Sequence, residues 1–248
     1  MFVKKEIKMT FLEHFGILRK SLIKVLLFVV ILFVPAFFFR DILMDFALLP
    51  MSQSLPLSSK IIFTKPTEGL SANIKVAFLA SLICVIPLLI YEIWTFIKPA
   101  LYQNEKKISV LVIVLGTILF FTGAAFCFFY VAPLAFDIVI NGYSTNVITA
   151  LPNVSDTLGF LTSMILSFGI IFEYPLIIFL LSRFGLITSQ FLSSKRRYSI
   201  LICAALSAIL TPTTDILSML FMLLPLLLFY EIGVLIAYLT YRGIDKKY

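Results

Sequence analysis

The chain has 248 residues, of which 61% are hydrophobic and only 13% charged, and its formal net charge is +7. A soluble domain carries roughly one-quarter charged residues, so this composition excludes an ordinary soluble enzyme or binding module and defines an integral membrane protein. The spans are helical, because hydrocarbon tolerates no unpaired backbone amide and a helix of about 20 apolar residues pairs its amides internally.

In chain order, Thr10 caps a short amphipathic helix over residues 10–20. Phe11, Phe15, Leu18 and Leu22 recur there at helical spacing, which suits a helix lying at the membrane interface. The first span covers about 21–39. It is long and no small-residue cleavage site follows it, which argues against a removable signal peptide. Arg40 to Asn73 is rich in Pro and Ser and reads as an ordered cap. The second span, about 74–97, leads into the turn "WTFIKPALYQNEKK", and the third covers about 108–136. A second cap, Asp137 to Thr157, precedes the fourth span, about 158–181. The fifth, about 198–210, reaches only ~20 Å against a hydrocarbon core of ~30 Å, so it thins the bilayer or lets the "TPTTD" turn dip inward. The sixth covers about 216–240.

Basic residues divide the connections into two sets. Lys4, Lys5, Lys8, Arg19, Lys20, Lys98, Lys106, Lys107, Arg183, Lys195, Arg196, Arg197, Arg242, Lys246 and Lys247 fall on one side. Only Arg40, Lys60, Lys65 and Lys75 fall on the other, so both termini are expected in the cytoplasm. The positive charge is thereby accounted for by topology, without nucleic acid. Cys84, Cys127 and Cys203 lie in separate apolar runs and His14 is the lone histidine, a pattern of buried thiols with no metal or cofactor site.

Three carboxylates fall inside spans: Glu92, Glu173 and Glu231. Glu92, beside Trp94 and Lys98, is expected to reach interfacial water. Glu173 lies deeper, in "FGIIFEYPLIIFL". A charge at a helix centre costs roughly 2.5–3.5 kcal/mol on insertion scales, so this acid is expected to be protonated, to face water or to meet a partner. Gly169, one turn earlier, is expected to leave room beside it, and Pro175 to bend the helix there. Glu231 is a weaker candidate for partner contact. Gly116, Gly123 and Cys127 share a face suited to close helix approach. In the turn after the second span, Pro99, Phe96 and Tyr102 make a compact bend from which Glu105 projects.

"PLLIYEIWTFIKPALYQNEKK", "FGIIFEYP", "KRRYSILICAALSAILTPTTD" and "LPLLLFYEIG", in that order, resemble the TatC family, the multispanning core of the twin-arginine protein translocase. That resemblance implies a curved, glove-like wall of six helices, the last two short. It also implies a non-enzymatic receptor for signal peptides bearing paired arginines on folded cargo. Single-span TatA- and TatB-type subunits and the protonmotive force are implied with it, in a multimeric complex in the cell's inner membrane or an organellar one. By motif, Glu105 and Phe96 match the family's signal-binding loop, Glu173 its intramembrane glutamate, and Pro50 and Asp215 outer-side functional positions. A carboxylate accepts two parallel hydrogen bonds from a guanidinium, which suits acidic groups to paired arginines.

The chain departs from the family's amino-terminal "HLxELR": it reads "HFGILR", His14 to Arg19, with Ile17 where the glutamate is expected. Glu13, one turn earlier, is the candidate substitute. The rival readings are a proton-coupled secondary transporter using Glu173 and Glu231, and a purely structural assembly subunit.

Overall fold

The computed structural model describes residues 11–55, 61–97, 106–142, 151–210 and 216–245. They form ten α-helices. α1 (Phe11–Phe38) carries the whole first span, and the 10–20 stretch anticipated as a separate interfacial helix is instead continuous with it. A single residue, Phe39, separates it from α2 (Arg40–Ser54), a helix within the first outer cap. The second span is α3 (Glu68–Ile97). The third is α4 (Lys106–Phe126), one π-helical turn over Cys127–Val131, and α5 (Ala132–Asn141). Pro133 has no amide to donate to Phe129, and the wider turn passes just before it.

The fourth span is α6 (Val154–Phe172) followed by α7 (Tyr174–Arg183), and α8 (Ser189–Ser194) is a short connector. α9 (Arg196–Leu210) and α10 (Ile216–Asp245) complete the bundle. Five described segments are long and apolar enough to cross a membrane. α9, the fifth of six in chain order, has 15 residues and so measures only about 22 Å.

α6 lies at the centre. Leu158, Leu161, Met164, Ile165, Phe168 and Ile171 recur along it at three- and four-residue steps, and all are buried. Half of the most apolar stretch of the fourth span, α6 with α7, is enclosed by protein, against 11% for α1. α1 packs almost entirely on α3, α3 on α4 and α6, α7 on α10, and α10 on α9. The spans thus meet in series, and among the described residues α1 and α10, at the ends of the series, have no substantial packing on each other. Exposed Leu22, Leu26, Val30 and Val34 make the outer face of α1 a hydrocarbon surface, as lipid contact requires.

The helix ends have identifiable causes. Asn153 caps α6, its side-chain oxygen accepting from the amides of Ser155 at 2.8 Å and Asp156 at 3.1 Å. Beyond α7, Gly185 adopts φ +71°, and the Leu186 amide donates back to the Leu181 carbonyl at 2.9 Å, a Schellman closure that a side chain would strain.

At the end of the bundle away from the termini, the two outer connections are pinned together. The Ile62 amide donates to the Pro152 carbonyl at 3.0 Å, and the Val154 amide to the Ile62 carbonyl at 3.2 Å. The carboxylate of Glu68, 5% exposed, accepts from the amides of Thr64 at 2.6 Å, Lys65 at 3.2 Å and Ser155 at 3.1 Å. One acid therefore ties the segment that leads into α3 to the first turn of α6, where backbone amides lack helical partners.

Candidate functional site

Glu173 sits at the break between α6 and α7. Pro175 cannot donate to the Ile171 carbonyl, and the Glu173 amide turns instead to the Ile170 carbonyl at 3.1 Å. The interruption projects the carboxylate toward α4. A Cβ added to Gly116 would lie 3.2 Å from Glu173 Oε2, 3.1 Å from Leu176 and 3.3 Å from Ile90. Oε1 is buried without a hydrogen-bond partner among the described residues.

The expectation for Gly169 needs correcting. A Cβ there would meet the Phe120 ring at 2.4 Å, so the missing side chain admits an aromatic ring of α4. Gly116 is the glycine that accommodates the acid. Gly123 lets α4 approach the α6 backbone, since its Cβ would lie 2.7 Å from the Phe168 carbonyl oxygen.

Glu92 also differs from expectation. It is 4% exposed, with Oε2 accepting from Ser21 Oγ at 2.5 Å and Oε1 paired with Lys24 Nζ at 3.1 Å. The acid thus faces α1 rather than interfacial water. Trp94, two residues on, is likewise buried, in a cluster with Val112 and Leu176. A sequence signal for the Glu92 pairing exists: Lys24 and Glu92 are lone opposite charges, each a few residues inside the termini-side end of adjacent antiparallel spans.

That pairing organises the termini end of the molecule. α1 and α3 run antiparallel, so Arg19, exposed and two residues before Ser21, lies at the same end as Phe96, one turn after Glu92. Phe96 is partly buried and engaged in a contact of its own. Glu13 lies on α1. Ile17, one turn before Ser21, shares its face, so the side of α1 that lacks an acid at 17 meets one supplied by α3. Pro99, Tyr102 and Glu105 lie outside the described residues, as does Asp215.

Pro50 is fully buried inside α2. Next to it, Ser54 Oγ donates to the carbonyls of Pro50 at 3.2 Å and Pro133 at 3.0 Å, joining α2 to α5. Glu231 on α10 pairs with Arg196 of α9 at 2.9 Å, with both side chains more than half exposed. Beside it an open groove of about 660 Å³ is lined by Phe126, Phe172, Leu224, Leu228 and Phe229. Its lining is apolar except for Glu231, which is not the wetted path a proton-coupled transporter needs.

The spans, the interrupted fourth one and the charges paired at their ends define a polytopic helical membrane protein. Its family is shown by comparison with known proteins. The family model described as Sec-independent protein translocase protein (TatC) matches residues 13–225, and the chain belongs to that family. A Sec-independent protein translocase protein TatC of Desulforapulum autotrophicum is 35% identical over 232 residues, covering 94% of this chain and 85% of that protein. The TatC of Halothiobacillus neapolitanus is 37% identical, over 94% of this chain and 63% of that longer protein. A crystal structure of a twin arginine translocase receptor TatC superimposes with a TM-score of 0.81 at 32% identity, covering 92% of this chain and 99% of the other. The chain is therefore a six-span membrane subunit of a Tat translocase, a transport protein and not an enzyme.

Proposed function

We propose that this subunit is the receptor of its translocase, binding twin-arginine signal peptides of folded proteins at the end that carries both termini. The distribution of Lys and Arg makes that end the cytoplasmic one. The observation that carries the reading is the antiparallel pairing of α1 with α3 within a chain of the TatC family. It supports this reading by bringing Arg19 to the same end of the molecule as Phe96, which precedes in sequence the segment bearing Pro99, Tyr102 and Glu105. Paired guanidinium groups suit acids delivered from two such segments, since each carboxylate accepts a two-pronged bond that an ammonium cannot form.

In this reading the subunit is also the scaffold on which single-span TatA- and TatB-type subunits assemble, and transport draws on the protonmotive force. Glu173 and the apolar groove beside Glu231 are the places for an inserting signal peptide or a single-span helix. Pro50 holds the outer cap through α2, and Asp215, which in sequence falls between the last two spans, is an outer-side position in this reading.

The test uses a twin-arginine peptide carrying a photocrosslinker next to its arginines. Labelling of the 96–105 loop and of α1 before Ser21 is expected, and its loss when both arginines become lysine. Labelling that survives the lysine change overturns the receptor reading.

A further inference from the structure

We propose that Ser21, Lys24 and Glu92 form a clamp that sets the register of α1 against α3 and so positions the two halves of the signal-peptide site. This rests on the receptor reading for its functional consequence. The clamp itself rests on geometry. Ser21 and Glu92 are both buried, at 7% and 4% exposure, and their contact joins residues 71 apart in sequence. Lys24 closes the second carboxylate oxygen from one turn further along α1, on the same face.

The location gives the clamp its leverage. α1 has almost no packing partner other than α3, and its membrane-facing side is exposed apolar surface that slides freely against lipid. Apolar contacts between two such helices specify register weakly, because a one-turn shift replaces one set of Leu and Val contacts with a similar set. A carboxylate with two directional partners does not tolerate that shift: a slip of one turn, ~5.4 Å, leaves a buried acid unpaired. Buried polar groups that fix register between helices are a well-attested use of such pairs.

The distances work out along the helices. Glu13 is eight residues before Ser21, about 12 Å along α1 toward the termini end, and Phe96 is four residues beyond Glu92, about 6 Å in the same direction. Both recognition segments therefore lie just beyond the clamp, and a one-turn slip displaces one against the other by about the separation of two adjacent arginine side chains. Ser21, Lys24 and Glu92 act as positioning residues, with no contact to the peptide required of them.

The experiment uses the full chain in lipid nanodiscs with spin labels at Leu18 and Thr95, and measures the label-to-label distance alongside affinity for a twin-arginine peptide and its two-lysine counterpart. Glu92→Leu is expected to broaden or shift the distance by about one helical turn and to weaken the twin-arginine peptide about tenfold, with little change for the lysine peptide. Glu92→Gln keeps a partner for Ser21 and is expected to fall between that variant and the unaltered chain. The paired exchange Lys24→Glu with Glu92→Lys restores opposite charges, and recovery of both readouts separates register control from simple loss of packing. An unchanged distance in Glu92→Leu overturns the clamp, as does failure of the exchange to recover either readout when the protein remains folded. Equal affinity of the unaltered chain for both peptides overturns the receptor reading instead, and leaves the distance arm to decide the clamp alone.

Discussion

Glu173 rests against Gly116: a single methyl group on residue 116 would come within 3.2 Å of the acid's Oε2. The close approach depends on two separate local features, the helix break ahead of Pro175 and the missing side chain on α4. Together they hold a carboxylate at the seam of α4 and α7, with its other oxygen unpartnered among the described residues.

Glu173→Gln preserves size and hydrogen-bonding capacity in this niche, whereas Glu173→Leu removes both polar atoms. Export of a folded reporter is expected to fall partially in the first variant and several-fold further in the second, because an unpaired polar group gains from a partner that a leucine cannot engage. Equal export in the two variants counts against a contact role for the acid.

Gly123→Ala and Gly116→Ala probe close packing differently. At 123 the new Cβ meets the Phe168 carbonyl oxygen at 2.7 Å, a backbone atom that cannot rotate away. At 116 the neighbours are ends of side chains. Overpacking costs typically about 1–3 kcal/mol, and the larger loss is expected at 123. Thermal unfolding in detergent ranks the two, and a less stable Gly116→Ala would contradict the geometry.

Glu68→Ala leaves the Thr64 and Lys65 amides without this acceptor and the Ser155 amide with Asn153 alone. Asn153→Ala removes one helix cap, a change worth about 1 kcal/mol. The Glu68 variant is expected to unfold at lower temperature than the Asn153 variant, and to expose the 61–68 stretch to protease while the spans remain intact. Undiminished protection of that stretch would show that the outer connections are held by something else.

The Arg196–Glu231 pair is half exposed, and such pairs contribute roughly 0.2–1 kcal/mol. Glu231→Gln is expected to leave reporter export within about twofold of the unaltered chain, a change of under 1 kcal/mol. Abolished export with the protein still assembled would revive a proton-carrying role for this acid.

Six spans, a short fifth one and the interruption at Pro175 were legible because each follows from local chemistry. Apolar run length sets a span, and a proline removes a helical hydrogen bond wherever it falls. The family motifs were legible for the same reason, being contiguous in the chain. Gly169 and Glu92 were misjudged because their surroundings come from elsewhere. Spacing along one helix made Gly169 a neighbour of Glu173, yet Phe120 of α4 occupies the space. Distance from the span's end placed Glu92 at interfacial water, yet Ser21 and Lys24 of α1 enclose it.

Hydropathy and backbone hydrogen bonding act along the chain, so a helical membrane protein of the TatC family with an interrupted fourth helix can be read from its residues. Which polar groups in the spans have partners depends on how one helix packs against another. A buried carboxylate is stabilised by whatever lies within about 3 Å of it, and for Glu92 that is a serine 71 residues away.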